Sequence, residues 1–426
     1  MQVTWLHISD FHIRGGDPYD RDVVLKALVR SVADYRKKGR VPDLIFATGD
    51  IAHGGKPEEY KLATKLFDDL LNAAKLDKQK LFVIPGNHDV DRDRGVGLAR
   101  TLSSEDEADK YFAPASPKPH LLQKMGAFLS WHDAYFKGIR KWPRKTSCGP
   151  VESVEVRGHK LGILPINSAL FCQDDEDHNK LVVGRRALGD ALERLKKLGA
   201  ELNIALIHHP LDWLNDLERS NIKSSLHAEV DFILRGHLHE TEVEQVASAF
   251  GQSLNCAAGA AYQTRKWPNR AMYATLNGQN VVAFPTRYED KPKERWTVDP
   301  SLFQDEQGYE RSFAIPRRTG PDTGTVQAPS APVKPSSLPK FRSNVRSRGT
   351  LPLIGREDDL NEVLKFLGSP EKESVLVLHG QPGVGKSEVA REFARRIGSV
   401  IRAGPFFWML PTERLRWNSP RSVRPT

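Results

Sequence analysis

The sequence predicts an α/β fold, and three observations carry that expectation. From its first residues to Asn87 the chain alternates apolar strand-like runs with helix-periodic segments, which implies crossover units around a central sheet. Five apolar runs stop abruptly at Asp, Asn or His, the kind of polar edge at which open α/β sheets build their sites. A further strand, loop and helix follow only after a Pro-rich break, so a large unit is expected to precede a smaller α/β segment.

Taken in order, a strand is expected at about Val3 to Ser9, then a helix from Arg21 to Arg36 with Val24, Leu28, Val32 and Tyr35 near helical spacing. A strand runs to Asp50. Glu58 to Ala74 reads as a helix with Leu62, Leu66 and Leu70 on one face, and the strand Leu81 to Ile84 leads to Asn87. Residues 90–157 show no comparable alternation and read as an insertion. Its aromatic helix around Phe128, Trp131, Tyr135 and Phe136 is expected to be core, with a cap bordering the site as the functional alternative. Beyond it come Leu161 to Ile166, a helix from Arg185 to Leu198, and strands Ile204 to Ile207 and Phe232 to Leu234. Trp213 and a polar helical region lie between the last two. Short strands at Ser253 to Ala258, Ala271 to Leu276 and Val281 to Pro285 follow, with Asn277-Gly278 as a hairpin turn.

The chain of 426 residues is long enough for two or three domains, and its 39% hydrophobic and 27% charged residues are ordinary for a globular protein. Cys148, Cys172 and Cys256 are odd in number and lack a CxxC pair, so they read as small buried residues of a reducing compartment, not as a disulfide framework or zinc site. No basic segment followed by an apolar stretch opens the chain, and no apolar run reaches the ~20 residues of a membrane span. A cytoplasmic protein without a membrane partner is expected. The net charge of +9 is unevenly spread: residues 301–426 hold 20 Lys and Arg against 13 Asp and Glu, and residues 1–300 hold 43 against 41. Basicity is therefore weak evidence that the N-terminal region binds a polyanion.

The large unit is expected over 1–300 and a linker over 301–350. Residues 316–350 carry seven Lys or Arg against the single Asp322, are rich in Pro, Ser, Thr and Gly, and have no apolar period. Over 351–411 the strand Val375 to His379 runs into Gly380-Gln-Pro-Gly383-Val-Gly385-Lys386-Ser387 and a helical stretch. This is a phosphate loop in its required context: the glycines let backbone N–H groups wrap a phosphate, Lys386 neutralises terminal phosphates, and Ser387 can ligate Mg²⁺. ATP with Mg²⁺ is the expected ligand. No apolar run ending in Asp follows, so a Walker B carboxylate is missing, and the basic tail 412–426 reads as disordered.

The chemistry is concentrated at the five strand ends. These are Asp10-Phe-His12, Gly49-Asp50, Gly86-Asn87-His88-Asp89, His208-His209 and Gly236-His237-Leu-His239. Oxygen and imidazole donors of this kind suit divalent metals of intermediate hardness. Asp10 and His12, like His237 and His239, are expected to share a side if the backbone stays extended. His7, His53, His159 and His178 read as ordinary polar residues.

In this order the motifs resemble the calcineurin-like metallophosphoesterase family over roughly residues 1–285. The resemblance implies a four-layer αββα sandwich holding two divalent ions, with Mn²⁺ favoured and Fe, Zn, Ni or Mg as alternatives. It assigns Asp10, His12 and His239 to one ion, and Asn87, His208 and His237 to the other. Asp50 bridges both, and His88 lies near the scissile phosphate as general acid. His208 is preferred to His209 because the family ligand directly follows its strand. Asp89 either orients His88 or caps the loop. The C-terminal segment, with Leu353-Ile-Gly-Arg-Glu357 before the loop and Phe406-Phe-Trp-Met-Leu410 after it, resembles the start of STAND nucleotide switches. There an effector domain precedes a P-loop ATPase that oligomerises; the rest of that domain is missing here, so a truncated chain is expected. Two functions follow: a phosphodiesterase or nuclease effector, or a regulatory ATP-binding module whose phosphoesterase is inactive until assembled.

Overall fold

The computed structural model describes residues 2–315, apart from 16–18, 96–100, 114–118, 145, 175–176, 249–250 and 266–267. The chain separates into two units, Met1–Gly324 and Thr325–Thr426. Residues 316–350 of the linker, the phosphate-loop residues Gly380, Gly383, Gly385, Lys386 and Ser387, and the basic tail lie outside the described residues.

The opening crossovers form where the apolar periods place them: β1 (Gln2–Ile8), α1 (Tyr19–Lys37), β2 (Leu44–Thr48), α2 (Pro57–Ala74) and β3 (Leu81–Ile84). Every residue of β2 and β3 is buried, which is why both read as unbroken apolar runs. In α2, Pro57 opens the helix, and the Glu59 carboxylate accepts from the Lys56 and Gly54 backbone N–H groups at 2.9 and 3.0 Å. Its buried face is Ala63, Leu66, Phe67, Leu70 and Leu71. Leu62, expected on that face, is 42% exposed, because an i, i+4 row drifts about 40° per step around the helix and carries Leu62 off the face that Leu66 and Leu70 share with Ala63 and Phe67.

Among the described residues the insertion supplies four helices, α3 (Arg92–Gly95), α4 (Glu105–Tyr111), α5 (Pro119–Gln123) and α6 (Gly126–Tyr135). The aromatic face of α6 packs against α2. Trp131 stacks on Tyr60 and Phe67 with centroids 5.2 and 6.0 Å away and donates from Nε1 to Thr64 Oγ1 at 2.9 Å. Phe128 is fully buried between Tyr60 and Trp142. The core reading of this helix holds. The end expected for the insertion, residue 157, is corrected: β4 (Glu152–Val156) already pairs antiparallel with β5 (His159–Pro165). Its half-exposed edge position hides it from an apolar-run search.

Next come α7 (Arg185–Lys197), β6 (Leu202–Leu206), α8 (Arg219–Glu229) and β7 (Phe232–Arg235). The strands β8 (Thr241–Ser248), β9 (Gly251–Ala258), β10 (Arg270–Asn277), β11 (Asn280–Glu289), β12 (Arg295–Val298) and β13 (Arg311–Ala314) close the unit. One sheet has the order β12-β11-β10-β1-β2-β3, with β13 added to β11; the other has the order β4-β5-β6-β7-β9-β8. The two face each other, as the Trp5 ring of β1 lies 5.2 Å from Phe232 of β7. Helices α1 and α2 serve the first sheet: Tyr35 of α1 contacts Tyr273 and Phe284 at 5.5 Å, and Trp296 Nε1 donates to Val24 O. On the other sheet α7 packs against β5 and α8 against β9. The result is an α/β fold of two sheets with helices outside them. The hairpin expected at Asn277-Gly278 joins β10 to β11, with Asn277 opposite Asn280.

Strands β8, β12 and β13 were not foreseen. They are short or exposed edge strands whose polar residues break the apolar alternation. Because β13 completes a sheet, the first unit extends past residue 300, beyond the boundary expected from sequence. Among the described residues no helix is long and apolar enough to cross a membrane.

Phe128→Ala should destabilise the unit by about 3–5 kcal/mol, because the insertion helix is core and a cavity would remain. Equilibrium denaturation measures this, and a loss below ~1 kcal/mol would mean that the helix is a detachable cap.

Candidate metal centre

Five strand-end loops meet along one edge of the two sheets, and their backbone is unusual. Asp10, His12, Asp50, His237 and His239 all have positive φ, at 56°, 44°, 51°, 72° and 56°. For non-glycine residues this conformation costs on the order of 1 kcal/mol each. The expectation that extended backbone aligns Asp10 with His12, and His237 with His239, is therefore corrected: left-handed turns aim these side chains. The turns persist because neighbouring loops lock them. Asp10 N donates to Gly49 O, and the Phe11 and His12 N–H groups both donate to Asp50 O, at 3.1, 2.8 and 3.0 Å. Two glycines allow the close approach. A Cβ on Gly86 would lie 2.2 Å from Asp50 Oδ1, and one on Gly236 only 1.9 Å from Ser9 Oγ.

The seven predicted donors come together. Asp10 Oδ1 lies 3.3 Å from His239 Nε2 and 4.0 Å from His12 Nε2, and the two imidazole nitrogens are 3.3 Å apart. Asn87 Oδ1 sits 3.1 Å from both His208 Nε2 and His237 Nδ1. Asp50 Oδ2 is 3.3 Å from His208 Nε2. Donor atoms of Asp10, His12 and His239 lie within 4.8 Å of one another, as do those of Asp10, Asp50 and His208. His237 and His239 thus face different partners although only Leu238 separates them.

Charge in this cluster is held against burial. Burial opposes ionisation of Asp50, yet the adjacent His208 keeps its carboxyl well below the usual range. Burial likewise disfavours a charged His208, and the Asp50 carboxylate outweighs it, holding the imidazole up to about 9. Burial pushes His12 down to about 4 and His237 to about 3, so both present neutral imidazole. His208 Nδ1 donates to Thr48 O at 2.7 Å, which turns Nε2 toward two oxygens, Asp50 Oδ2 and Asn87 Oδ1. Two acceptors converging on one imidazole nitrogen need a proton or a cation between them. Asp10 Oδ1 is fully buried and has no well-formed hydrogen bond among the described residues. This donor set of carboxylates, an amide oxygen and neutral imidazoles fits divalent cations.

His88 stands beside the cluster. Its backbone N–H donates to Asp50 Oδ1 at 2.8 Å, and its Nδ1 donates to the carbonyl of His53 at 2.8 Å. Asp89 does not touch the His88 ring in this arrangement; its buried carboxylate caps the loops instead. It accepts from the N–H groups of Ile51, Ala52 and Gly86 at 3.1, 2.9 and 2.8 Å, and from the Tyr60 hydroxyl at 2.8 Å. Burial, then the charge of Asp50, push it up to about 6.

A cleft of about 130 Å³ opens onto the cluster, lined by Asp50, Asn87, His88, Asp174, Asp177, His209, Trp213, His237 and His239. None of these comes from residues 90–157. Asp174, Asp177 and Trp213 were not singled out by sequence reasoning. The first two lie in the acidic stretch after β5, a strand end that ran into no His and so escaped the search. His53, read as ordinary, stacks on His88 with centroids 5.4 Å apart and has a donor atom within 4.8 Å of His12 and His88. His7 is buried with Nε2 2.9 Å from Thr48 Oγ1, His159 meets Glu201, and His178 packs on Trp213. Cys148, Cys172 and Cys256 are free and buried.

A family model described as calcineurin-like phosphoesterase matches residues 3–241. The chain belongs to this family. Among curated proteins, this phosphoesterase is 29% identical over 260 residues to an uncharacterised metallophosphoesterase-like protein, YydB, of Bacillus subtilis, with 58% of this chain and 51% of that protein covered. It is 36% identical over 86 residues to a probable glycerophosphodiester phosphodiesterase, GpdQ, of Arcobacter nitrofigilis, covering 20% of this chain and 29% of that protein. The chain thus spans about half of the first relative and under a third of the second. Among solved structures it is similar to a dimetal phosphatase from Danio rerio, 12% identical with a TM-score of 0.41, covering 70% of this chain and 98% of the other.

Asp89→Ala would strip four donors of their acceptor, so unfolding free energy should fall by about 3 kcal/mol or more. Denaturant titration reads it. A loss under ~1 kcal/mol would show that the loops hold together without this carboxylate.

Proposed function

We propose that this chain is a dinuclear metal-dependent phosphodiesterase, acting as the effector of a nucleotide-regulated, STAND-like protein. The observation that carries the catalytic reading is the convergence of Asp10, His12, Asp50, Asn87, His208, His237 and His239, with His88 at the mouth of the cleft. Asp10, His12 and His239 would hold one ion and Asn87, His208 and His237 the other, with Asp50 shared. When bound, two such ions supply Lewis-acid stabilisation of phosphoryl oxygens and acidify a water for in-line displacement.

The protein's own groups complete the chemistry. Because His88 Nδ1–H is committed to His53 O, Nε2 is the nitrogen left facing a substrate, and as an imidazolium His88 would give its Nε2 proton to a departing alkoxide and remain as the neutral Nδ1–H ring. A diester, whose alkoxide leaves poorly, gains most from that proton. The bond from His88 N to Asp50 Oδ1 couples the position of this acid to the shared carboxylate. Asp174 and Asp177 add negative charge to the cleft, which favours a singly charged diester over a doubly charged monoester or a polyanionic strand. The regulatory half of the proposal is supported by Gly380, Gly383, Gly385, Lys386 and Ser387, whose spacing suits ATP with Mg²⁺, and homo-oligomer formation would follow from a STAND-like switch. The alternative, a signalling module whose phosphoesterase is silent until assembled, rests on the same motif.

The test is hydrolysis by the full chain with Mn²⁺, with and without ATP, of a chromogenic diester, the matching monoester, single- and double-stranded DNA, RNA and cyclic nucleotides. Diester turnover without ATP supports the enzyme reading, strict ATP dependence supports the silent module, and no metal-dependent hydrolysis in either condition rejects both. His88→Ala should retain the metals and lose diester turnover by ~10²–10⁴-fold. Unchanged turnover would remove the general-acid role.

A further inference from the structure

We infer that His209 and Trp213 are positioning residues, an aromatic brace that fixes the His237 imidazole for the second cation. This rests on the ligand role proposed for His237. His209 is the residue that sequence alone leaves in competition with His208, and its donor atom lies within 4.8 Å of those of His208 and His237. Its two ring nitrogens are nevertheless occupied. Nδ1 is 2.8 Å from Ser168 Oγ and Nε2 is 3.7 Å from Cys172 Sγ, while the His209 backbone N–H also donates to Ser168 Oγ at 3.3 Å. A neutral imidazole has one donor and one acceptor nitrogen, and hydroxyl and thiol can each play either part. In both tautomers the acceptor nitrogen faces a protein partner. His209 is fully buried, so no water competes for these bonds.

What His209 offers the site is its ring. Pro210 follows it, and a single 3-10 turn, Leu211–Trp213, folds back with Trp213 N donating to Pro210 O at 2.9 Å. The indole then lies nearly parallel to His209, with centroids 5.9 Å apart at 29°. Trp213 meets the His237 ring edge to face at 4.2 Å and 81°, and His209 reaches the same ring at 4.5 Å and 54°. His178 closes on Trp213 at 5.3 Å and 70°. Perpendicular contacts of this kind suit the quadrupoles of aromatic rings.

His237 needs outside support. Its backbone is left-handed, Gly236 before it has no side chain, and Leu238 after it is 44% exposed. The aromatic rings that meet its imidazole, those of His208, His209 and Trp213, all come from outside its own loop. The chain of contacts from Ser168 through His209 and Trp213 therefore transmits the rigidity of the second sheet to this ligand. Partners that orient a ligand from behind typically matter by ~10–100-fold in metal affinity.

The test is Mn²⁺ binding to the full chain, followed by calorimetry and by the electron paramagnetic resonance signal of the free ion. Wild-type protein is expected to bind two equivalents. Trp213→Ala should leave one unchanged and weaken the other ~10–100-fold, and Trp213→Phe should restore most of the loss. Two unaltered equivalents in Trp213→Ala, or equal weakening of both, would overturn the brace. Should that variant fail to fold, Ser168→Ala reads the same chain from its far end: weakening of one equivalent supports it and unchanged binding overturns it. Fewer than two equivalents in the wild-type protein would overturn the dinuclear reading and the brace with it, whereas two of normal affinity in every variant would overturn the brace alone.

Discussion

The site depends on one buried carboxylate that belongs to no ligand set. Asp89 accepts from Ile51 and Ala52 in the loop after β2, from Gly86 in the loop after β3, and from Tyr60 on α2. It thereby fixes the distance between the segments that carry Asp50 and Asn87-His88. An exposed acid could not do this, because water would compete for each donor. With this tie in place, strained turns at Asp10, His12, Asp50, His237 and His239 can be held by backbone hydrogen bonds between loops and not by side-chain bulk.

That arrangement explains the electrostatics. Asp10 and Asp50 are fully buried within one cluster; the hydrogen bond from His239, then the charge of His208, holds Asp10 ionised, and His208 does so for Asp50. A site that must hold a proton to stay electrically tolerable is one in which a cation can take the proton's place. His12 and His237, kept neutral by burial, have lone pairs ready for it.

Much of this was legible from sequence, and the reasons are local. Strands β2 and β3 are buried throughout and β1, β6 and β7 nearly so, so each is largely apolar, and a site side chain follows two or three residues after each strand ends. The order of the donors along the chain carried the rest through the family resemblance. What escaped notice depends on tertiary placement. Strand β8 alternates between half-buried and exposed residues and reads as a polar segment. Leu62 is apolar but faces outward. Asp174 and Asp177 belong to an ordinary-looking acidic stretch that only the path of the loop after β5 brings to the cleft. Backbone reversal at Asp10 and His12 leaves no compositional trace either, since neither residue is glycine.

The pairing of the very first strand has a consequence for synthesis. β1 lies between β2 and β10, with Gln2 opposite Asn277, so a growing polypeptide must emerge almost to the end of this unit before its opening strand gains both neighbours. His12 likewise cannot meet His239 until most of the unit has emerged. Nascent chains shorter than this would therefore carry the cluster's donors dispersed along an unfinished sheet.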